Sequence, residues 1–162
     1  MMKIDFILNG EDVSVQADPE TRLVNILRNT FRLLETKPGC GTGLCGSCSV
    51  IFNGAVIKSC LVPAFKIQGR EIITIEGFSQ TDEYQDILLG FSQAGFESCG
   101  FCEKGKILAV EALLGRNKRP SKEEILSTFR GIRCRCNDPE GLVEAVMAVT
   151  QHRRRRIYGR TT

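Results

Sequence analysis

The sequence predicts an α+β protein, in which a β-rich N-terminal half precedes an all-α half that forms a four-helix bundle. Strand-like alternation and Asn-Gly turns occur only in the first 76 or so residues, and four helical segments follow. The eight cysteines also divide evenly, with four in each half. We therefore expect two domains, residues 1–77 and residues 83–162, joined by a short linker.

The elements of the N-terminal half follow from local patterns. Residues 3–17 alternate apolar and polar side chains around an Asn-Gly pair at 9–10, and a second such pair lies at 53–54. Each pattern predicts a β-hairpin. A cap at Asp18, followed by a proline, predicts a helix between the hairpins. Residues 70–77 are rich in β-branched side chains and predict a further strand.

The second half predicts four helices whose apolar stripes form the core of a bundle. The third of these opens with Ser121 and Glu124 in a capping-box pattern, which fixes its start. The predicted helices are Glu83 to Ala94, Glu103 to Leu114, Ser121 to Arg130, and Pro139 to about Gln151.

Composition and chain start bear on the chemistry of the cysteines. An even cysteine count is compatible with disulfides in a secreted protein. However, the first apolar stretch is broken by Asp5 and lacks a small-residue cleavage site, and no apolar run approaches the roughly 20 residues of a membrane helix. We expect a cytoplasmic protein without a membrane span, in which clustered thiols bind metal or perform redox chemistry. The net charge of +3 is too small to indicate nucleic-acid binding.

The first cysteine set has the spacing C-x4-C-x2-C, then eleven residues, then a fourth cysteine. This is the plant-type ferredoxin spacing for a 2Fe–2S cluster. Gly41, Gly43 and Gly46 permit the positive φ angles and close approach that wrapping a cluster requires. Zinc sites rarely use such a triplet in a glycine-rich loop. The predicted ligands are Cys40, Cys45, Cys48 and Cys60.

The second cysteine set combines a C-x2-C pair with a C-x-C pair. The first pair precedes the second predicted helix, whose N-terminal amides favour thiolates. The second pair lies between the third and fourth helices, so we expect both pairs to meet at one end of the bundle. By spacing alone, zinc remains an alternative metal here. The predicted ligands are Cys99, Cys102, Cys134 and Cys136.

Taken together, the two sets resemble the small iron–sulfur subunit or domain of the molybdenum hydroxylases, the xanthine dehydrogenase and aldehyde oxidoreductase family. The resemblance covers roughly residues 3 to 150. It implies a β-grasp, plant-ferredoxin-like domain and a four-helix domain, each with one 2Fe–2S cluster. It also implies electron transfer without a catalytic residue on this chain, a large partner subunit that carries molybdopterin, and a flavin (FAD) subunit. Electrons would pass from molybdenum through the helical-domain cluster, with Cys136 nearest the pterin, to the ferredoxin-like cluster.

The sequence departs from this family next to the second cysteine set. The family has Gln where this chain has Ser98, and Thr-Pro-Gly-Met where residues 103–106 are Glu-Lys-Gly-Lys. A serine hydroxyl is shorter than a glutamine amide, so any pterin contact must be rebuilt or bridged by water. An iron–sulfur subunit with a non-standard or absent molybdopterin contact is therefore a second hypothesis, and a zinc-stabilised binding module is a third. The expected cofactor-contacting residues are Gly41, Gly43, Gly46, Ser98, Gly100 and Arg135.

Four consecutive arginines, Arg153 to Arg156, form a basic tail after the last predicted helix. The tail is either a frayed, solvated terminus or a segment that docks on an acidic face of a partner. A nucleic-acid role is not indicated, because no aromatic residues are interleaved with a basic surface. We expect His152 to lie on the surface and not to bind metal.

Overall fold

A five-stranded mixed sheet forms the N-terminal half of the computed structural model, which describes residues 1–159. Its strands are β1 (Met2–Leu8), β2 (Glu11–Ala17), β3 (Ser49–Phe52), β4 (Ala55–Lys58) and β5 (Glu71–Ile73). Their order is β2-β1-β5-β3-β4; β1 and β5 are parallel, and the other neighbours are antiparallel. Asn9 and Asn53 have φ angles of 53° and 47°, and a positive-φ glycine follows each. Both predicted Asn-Gly hairpins are therefore confirmed.

The helix that packs on this sheet begins later than predicted. Helix α1 comprises Leu23–Asn25 and continues as one π-helical turn, Ile26–Thr30. The prediction that Asp18 caps it is wrong, because Arg22 forms a β-bridge with Pro63 and remains extended up to the first helical residue. A long-range contact thus overrides the local helix signal.

The strand predicted over residues 70–77 is confirmed only for Glu71–Ile73. The backbone N–H of Thr74 donates to Asn9 Oδ1 at 2.8 Å, and helix α2 (Ile75–Phe78) starts immediately afterwards. The side chain of the first hairpin turn therefore ends the last strand.

Four further helices follow and form the predicted bundle. The capping box of the third is present, since Ser121 N–H donates to Glu124 Oε2 at 2.8 Å and Glu124 N–H donates to Ser121 Oγ at 3.2 Å. The last helix extends about two turns beyond its predicted end at Gln151. The helices are α3 (Asp82–Gln93), α4 (Glu103–Arg116), α5 (Lys122–Phe129) and α6 (Pro139–Tyr158).

The extension of α6 corrects both interpretations of the basic tail for Arg153 and Arg156, whereas Arg154 and Arg155 are exposed. Asp86 of α3 is 2% exposed and accepts hydrogen bonds from Arg156 Nε at 3.0 and 2.9 Å. Arg153 donates to Glu111 Oε2 at 2.8 Å. These two arginines are therefore neither frayed nor available to a partner, because they bind carboxylates of their own chain.

His152 also differs from its prediction. Its Nε2 lies 3.5 Å from Asp86 Oδ1, and its side chain is 26% exposed. It is half-buried beside the ion pairs of α6 instead of lying freely on the surface.

The two halves share the sheet as a common layer. One face packs on α1 through buried side chains such as Phe6, Leu27 and Val50. On the other side, Ile51 of β3 belongs to the core of the helical bundle, and α4 packs against β3 and β4. No helix within residues 1–159 is long and apolar enough to cross a lipid bilayer.

Candidate metal centres

The first cysteine loop lies between α1 and β3 and directs backbone amides at a sulfur. The N–H groups of Thr42, Leu44 and Cys45 lie 3.4, 3.2 and 3.3 Å from Cys40 Sγ and donate to it. The Thr42 side chain and these backbone hydrogen bonds lower the pKa of Cys40 to about 5. The loop therefore stabilises a thiolate, the form in which cysteine binds metal.

The glycines of this loop adopt the predicted conformation. Gly41, Gly43 and Gly46 have φ angles of 66°, 78° and 76°, a region in which side chains are strained. The polypeptide can fold tightly around Cys40 because these positions lack a Cβ.

Cys48 and Cys60 form a buried pair at the base of the β3–β4 hairpin. Cys48 directly precedes β3, and Cys60 lies in a 3₁₀ turn after β4, so the β3–β4 hairpin carries the two cysteines to the same place. Both are buried with Val24, and Ser59 Oγ donates to the Cys48 carbonyl at 2.7 Å. Burial raises the pKa of Cys48 to about 11, outweighing a hydrogen bond with the Cys60 backbone that acts in the opposite direction. The first set thus contains an outer pair, of which Cys40 is exposed and Cys45 half-buried, and a buried pair.

The second set comes together at the N-terminal end of α4. Cys134 Sγ lies 3.4 Å from Cys136 Sγ. Cys99 lies close enough to Cys136, and Cys102 to Cys134, for the sulfur of one to influence the pKa of the other. Two cysteine pairs that are distant in sequence therefore meet at one end of the bundle, as their spacing predicted.

The environments of these sulfurs differ. Cys102 is the N-cap residue of α4, and burial raises its pKa to about 11. Cys99 is exposed, and a hydrogen bond from the backbone of Phe101 lowers its pKa. Cys136 is also exposed; the Cys99 backbone lowers its pKa, but the Cys134 sulfur has the opposite effect and the net shift is upward.

A buried lysine, visible in the sequence only as a departure from the family pattern, contacts the second set. Lys106 is 1% exposed, and its Nζ lies 3.1 Å from Cys134 Sγ and 2.5 Å from Asn137 Oδ1. The same Nζ lies 5.1 Å from the centre of the Phe96 ring. Burial is the largest influence on the pKa of Cys134 and raises it, but hydrogen bonds from Lys106, then Cys136 and the Asn137 backbone, together outweigh burial and bring this pKa down to about 6. The spacing in the sequence could have predicted this contact, because Lys106 follows Cys102 by one helical turn and so lies on the same face of α4.

The remaining expected cofactor-contacting residues lie around this second set. Ser98 is half-buried in a cleft of about 380 Å³ lined also by Phe96 and Glu103. Arg135 is exposed. The carbonyl of Gly100 accepts a hydrogen bond from Lys37 Nζ at 3.4 Å, which links it to the first cysteine loop.

The two cysteine loops lie side by side. A Cβ on Gly105 of α4 would approach the Gly46 carbonyl oxygen more closely than 3.0 Å, and a Cβ on Gly46 would lie 2.7 Å from Ile132 Cγ1. Gly46 lies between Cys45 and Cys48, and Ile132 lies just before Cys134. Both sites therefore share a seam in which glycine permits close contact.

The donor set determines which metal group the residues fit. Within residues 1–159, no three Cys, His, Asp or Glu side chains are grouped tightly enough to hold a single metal ion. Each cysteine set supplies four free thiols, and a 2Fe–2S cluster takes four cysteines shared by its two irons. Backbone N–H groups at Cys40 and the buried ammonium at Cys134 both favour a negatively charged group. The residues present fit a 2Fe–2S cluster at each site.

Comparisons with known proteins agree with this chemistry. Residues 6–72 match the family described as 2Fe-2S iron-sulfur cluster binding domain, and residues 74–147 match the [2Fe-2S] binding domain family. The nicotinate dehydrogenase small FeS subunit of Eubacterium barkeri is 40% identical over 133 residues, covering 82% of this chain and 85% of that protein. The nicotine 6-hydroxylase small subunit of Paenarthrobacter nicotinovorans is 35% identical over 146 residues, covering 90% and 88%.

Two solved structures have the same fold as this chain. Quinoline 2-oxidoreductase from Pseudomonas putida 86 matches with a TM-score of 0.82 and 34% identity, covering 94% of this chain and 96% of that one. The aldehyde oxidoreductase of Desulfovibrio desulfuricans matches with a TM-score of 0.84 and 32% identity; the match covers all of this chain but 18% of that longer one. The expected fold, a ferredoxin-like domain followed by a four-helix domain, is thereby confirmed. The chain belongs to the two-cluster iron–sulfur subunits of the molybdenum hydroxylase family and serves electron transfer in an oxidoreductase complex.

Proposed function

We propose that each half of the chain holds one 2Fe–2S cluster through its own four cysteines. The observation that carries this proposal is the meeting of two separated cysteine pairs at the N-terminal end of α4. When bound, each cluster accepts and releases one electron at a time. The proposed ligands are Cys40, Cys45, Cys48 and Cys60 in the domain of residues 1–77, and Cys99, Cys102, Cys134 and Cys136 in the domain of residues 83–162.

Exposure of the cysteines supports an assignment of the two ends of the electron path. Cys99 and Cys136 are exposed at the second site, so this face suits a large partner that carries molybdopterin. At the first site, Cys40 is exposed, and the apolar side chains of Leu44 and Leu61 nearby are about half exposed. Leu61 packs at the Gly43 position, next to Leu44 in the chain, so the two form one exposed apolar patch, a feature typical of protein contacts. This second face suits the electron acceptor, which we propose to be an FAD-binding subunit.

We further propose that the complex is of the xanthine dehydrogenase or aldehyde oxidoreductase type and lies in the cytoplasm. We propose that Ser98 contacts the pterin through a bridging water. Its side chain is shorter than the family's glutamine and lacks the NH₂ donor of an amide. Gly100 and Arg135 are the other proposed contacts at this face.

The experiment starts from the native complex and quantifies iron, zinc and molybdenum. We expect about four irons per chain and two distinct EPR signals on reduction. Molybdenum absent from a complex with intact iron would contradict a molybdopterin partner. One 2Fe–2S signal accompanied by bound zinc would contradict the assignment of the second site.

A cysteine variant tests the order of transfer. Cys136→Ala is expected to abolish one EPR signal, keep the other, and block reduction of the remaining site by substrate. Dithionite, a chemical reductant, serves as the control, because it should still reduce the remaining site. Substrate-driven reduction at the normal rate would refute the proposed order.

A further inference from the structure

A buried cation lies against the second cysteine set. Among residues 1–159, Lys106 is the only buried lysine or arginine. Its Nζ contacts the sulfur of Cys134, the amide oxygen of Asn137 and the face of the Phe96 ring. None of these groups is a carboxylate.

Burying an ammonium is unfavourable unless an anion lies close to it. Lys106 interacts with the sulfurs of Cys134 and Cys102, which become anionic when they bind metal. Its position is also fixed from several sides, because Asn137 Nδ2 donates to the Glu97 carbonyl oxygen and so orients the acceptor that holds Nζ. The ammonium is therefore built into the site and does not sample solvent.

Reduction adds one negative charge to a 2Fe–2S cluster. Its potential depends on net charge, on hydrogen bonds to the sulfurs and on solvent exposure. A buried ammonium within hydrogen-bonding distance of a ligand sulfur adds positive charge to the site and donates a hydrogen bond to the sulfur. The low polarity of the surroundings strengthens both effects. Each favours the reduced state.

We propose that Lys106 raises the reduction potential of the cluster held at the second site. The inference rests on the proposed assignment of Cys99, Cys102, Cys134 and Cys136 as ligands. In the electron path proposed above, Lys106 makes the second site a better acceptor from the molybdopterin partner and a weaker donor to the first site. Lys106 is thus a positioning residue for charge and does not itself react.

The test is an EPR-monitored redox titration of the native complex with Lys106→Met, which places the family's apolar residue at this position. We expect the reduction equilibrium of the second site to shift at least tenfold towards the oxidised form, which is 59 mV for one electron. The potential of the first site should stay unchanged. Cys60→Ala, which removes the first site's signal, identifies which titration belongs to which site.

Lys104→Met is the matched control. It removes the same charge from the same helix, but Lys104 is partly exposed and lies 4.0 Å from Glu103 instead of contacting a cysteine. We expect less than half the shift seen with Lys106→Met, since solvent screens an exposed charge. An equal shift in both variants would overturn the proposal.

Two further substitutions separate charge from packing. Lys106→Arg keeps the charge and should titrate well above Lys106→Gln, even if Lys106→Met fails to retain its iron. If all three variants lose the second site's iron, Lys106 holds the cluster and does not set its potential, which would also overturn the proposal. A wild-type complex with one 2Fe–2S signal would refute the ligand assignment. Two signals in the wild type, with an unchanged second-site potential in Lys106→Met, would refute only the role of Lys106.

Discussion

The seam between the two cysteine loops makes a prediction about Gly105. In Gly105→Ala, the new methyl group would lie closer than 3.0 Å to the Gly46 carbonyl oxygen, where ordinary contact requires about 3.4 Å. This oxygen cannot easily recede, because it accepts hydrogen bonds from Ser49 Oγ at 2.7 Å and Ser49 N–H at 3.2 Å. The substitution must therefore either strain the first cysteine loop or move α4 away from it.

The magnitude follows from comparison with a second glycine of the same helix. Gly115 is exposed, and a Cβ there would meet nothing within 4 Å. Gly115→Ala should therefore only gain helix propensity, up to about 1 kcal/mol. Gly105→Ala gains a similar term but adds overpacking, which costs about 1–3 kcal/mol. Because the propensity terms of the two variants largely cancel, we expect Gly105→Ala to be less stable than Gly115→Ala by the overpacking cost, about 1–3 kcal/mol.

Thermal unfolding of the complex, followed by the visible circular dichroism of its iron–sulfur centres, measures the difference. For a chain of this size, about 1–3 kcal/mol corresponds to a difference in Tm of about 2–12 °C. Rapid-freeze EPR after substrate addition then reports whether the first site is reduced more slowly. A Gly105→Ala complex that is at least as stable as the Gly115→Ala complex would refute the close contact.

Three other predictions concern the ion pairs of α6 and the first site. Asp86→Ala should lower the free energy of unfolding by about 3 kcal/mol, the low end for a broken buried pair, because Glu83 still binds Arg156. In the same urea unfolding measurement, Asp5→Ala should have a much smaller effect, because Asp5 is exposed. The pKa of Glu83 lies below its usual 4.5, first because its carboxylate accepts a hydrogen bond from its own backbone N–H and then because Arg156 lies beside it. Glu83 therefore contributes stability above pH 4.5 that is lost as the pH falls further, and Glu83→Gln should show a smaller acid loss in urea unfolding measured across this range. Cys60→Ala should halve the iron content, from about four to about two per chain, and leave one EPR signal; loss of both signals would contradict independent sites.

The parts of the fold that sequence predicts best depend on neighbouring residues. An Asn-Gly pair adopts the two positive φ angles that a tight hairpin requires, and the capping box of Ser121 and Glu124 satisfies two amides within one turn. The glycine conformations of the first cysteine loop were equally predictable, because wrapping a cluster requires positive φ angles at closely spaced positions. None of these inferences needs knowledge of a distant residue.

The errors arise where distant residues decide the outcome. Arg22 is held extended by Pro63, which delays α1, and Asn9 ends β5 through Thr74. The extension of α6 depends on Asp86, which lies in another helix and whose burial no local pattern reveals. The role of Lys106 likewise depends on Cys134, a residue 28 positions away whose sulfur lies beside its Nζ.

The place of β5 in the sheet also governs the order of biosynthesis. β5 is the last strand in the chain but lies at the centre of the sheet, between β1 and β3. Until residue 73 has been synthesised, the two hairpins have no strand to join them, and each presents an open edge. All four cysteines of the first site precede β5, so they emerge from the ribosome before the sheet that positions them is complete. We therefore expect cluster insertion at this site to follow the synthesis of β5, and a nascent chain arrested before β5 should be a poor substrate for cluster delivery.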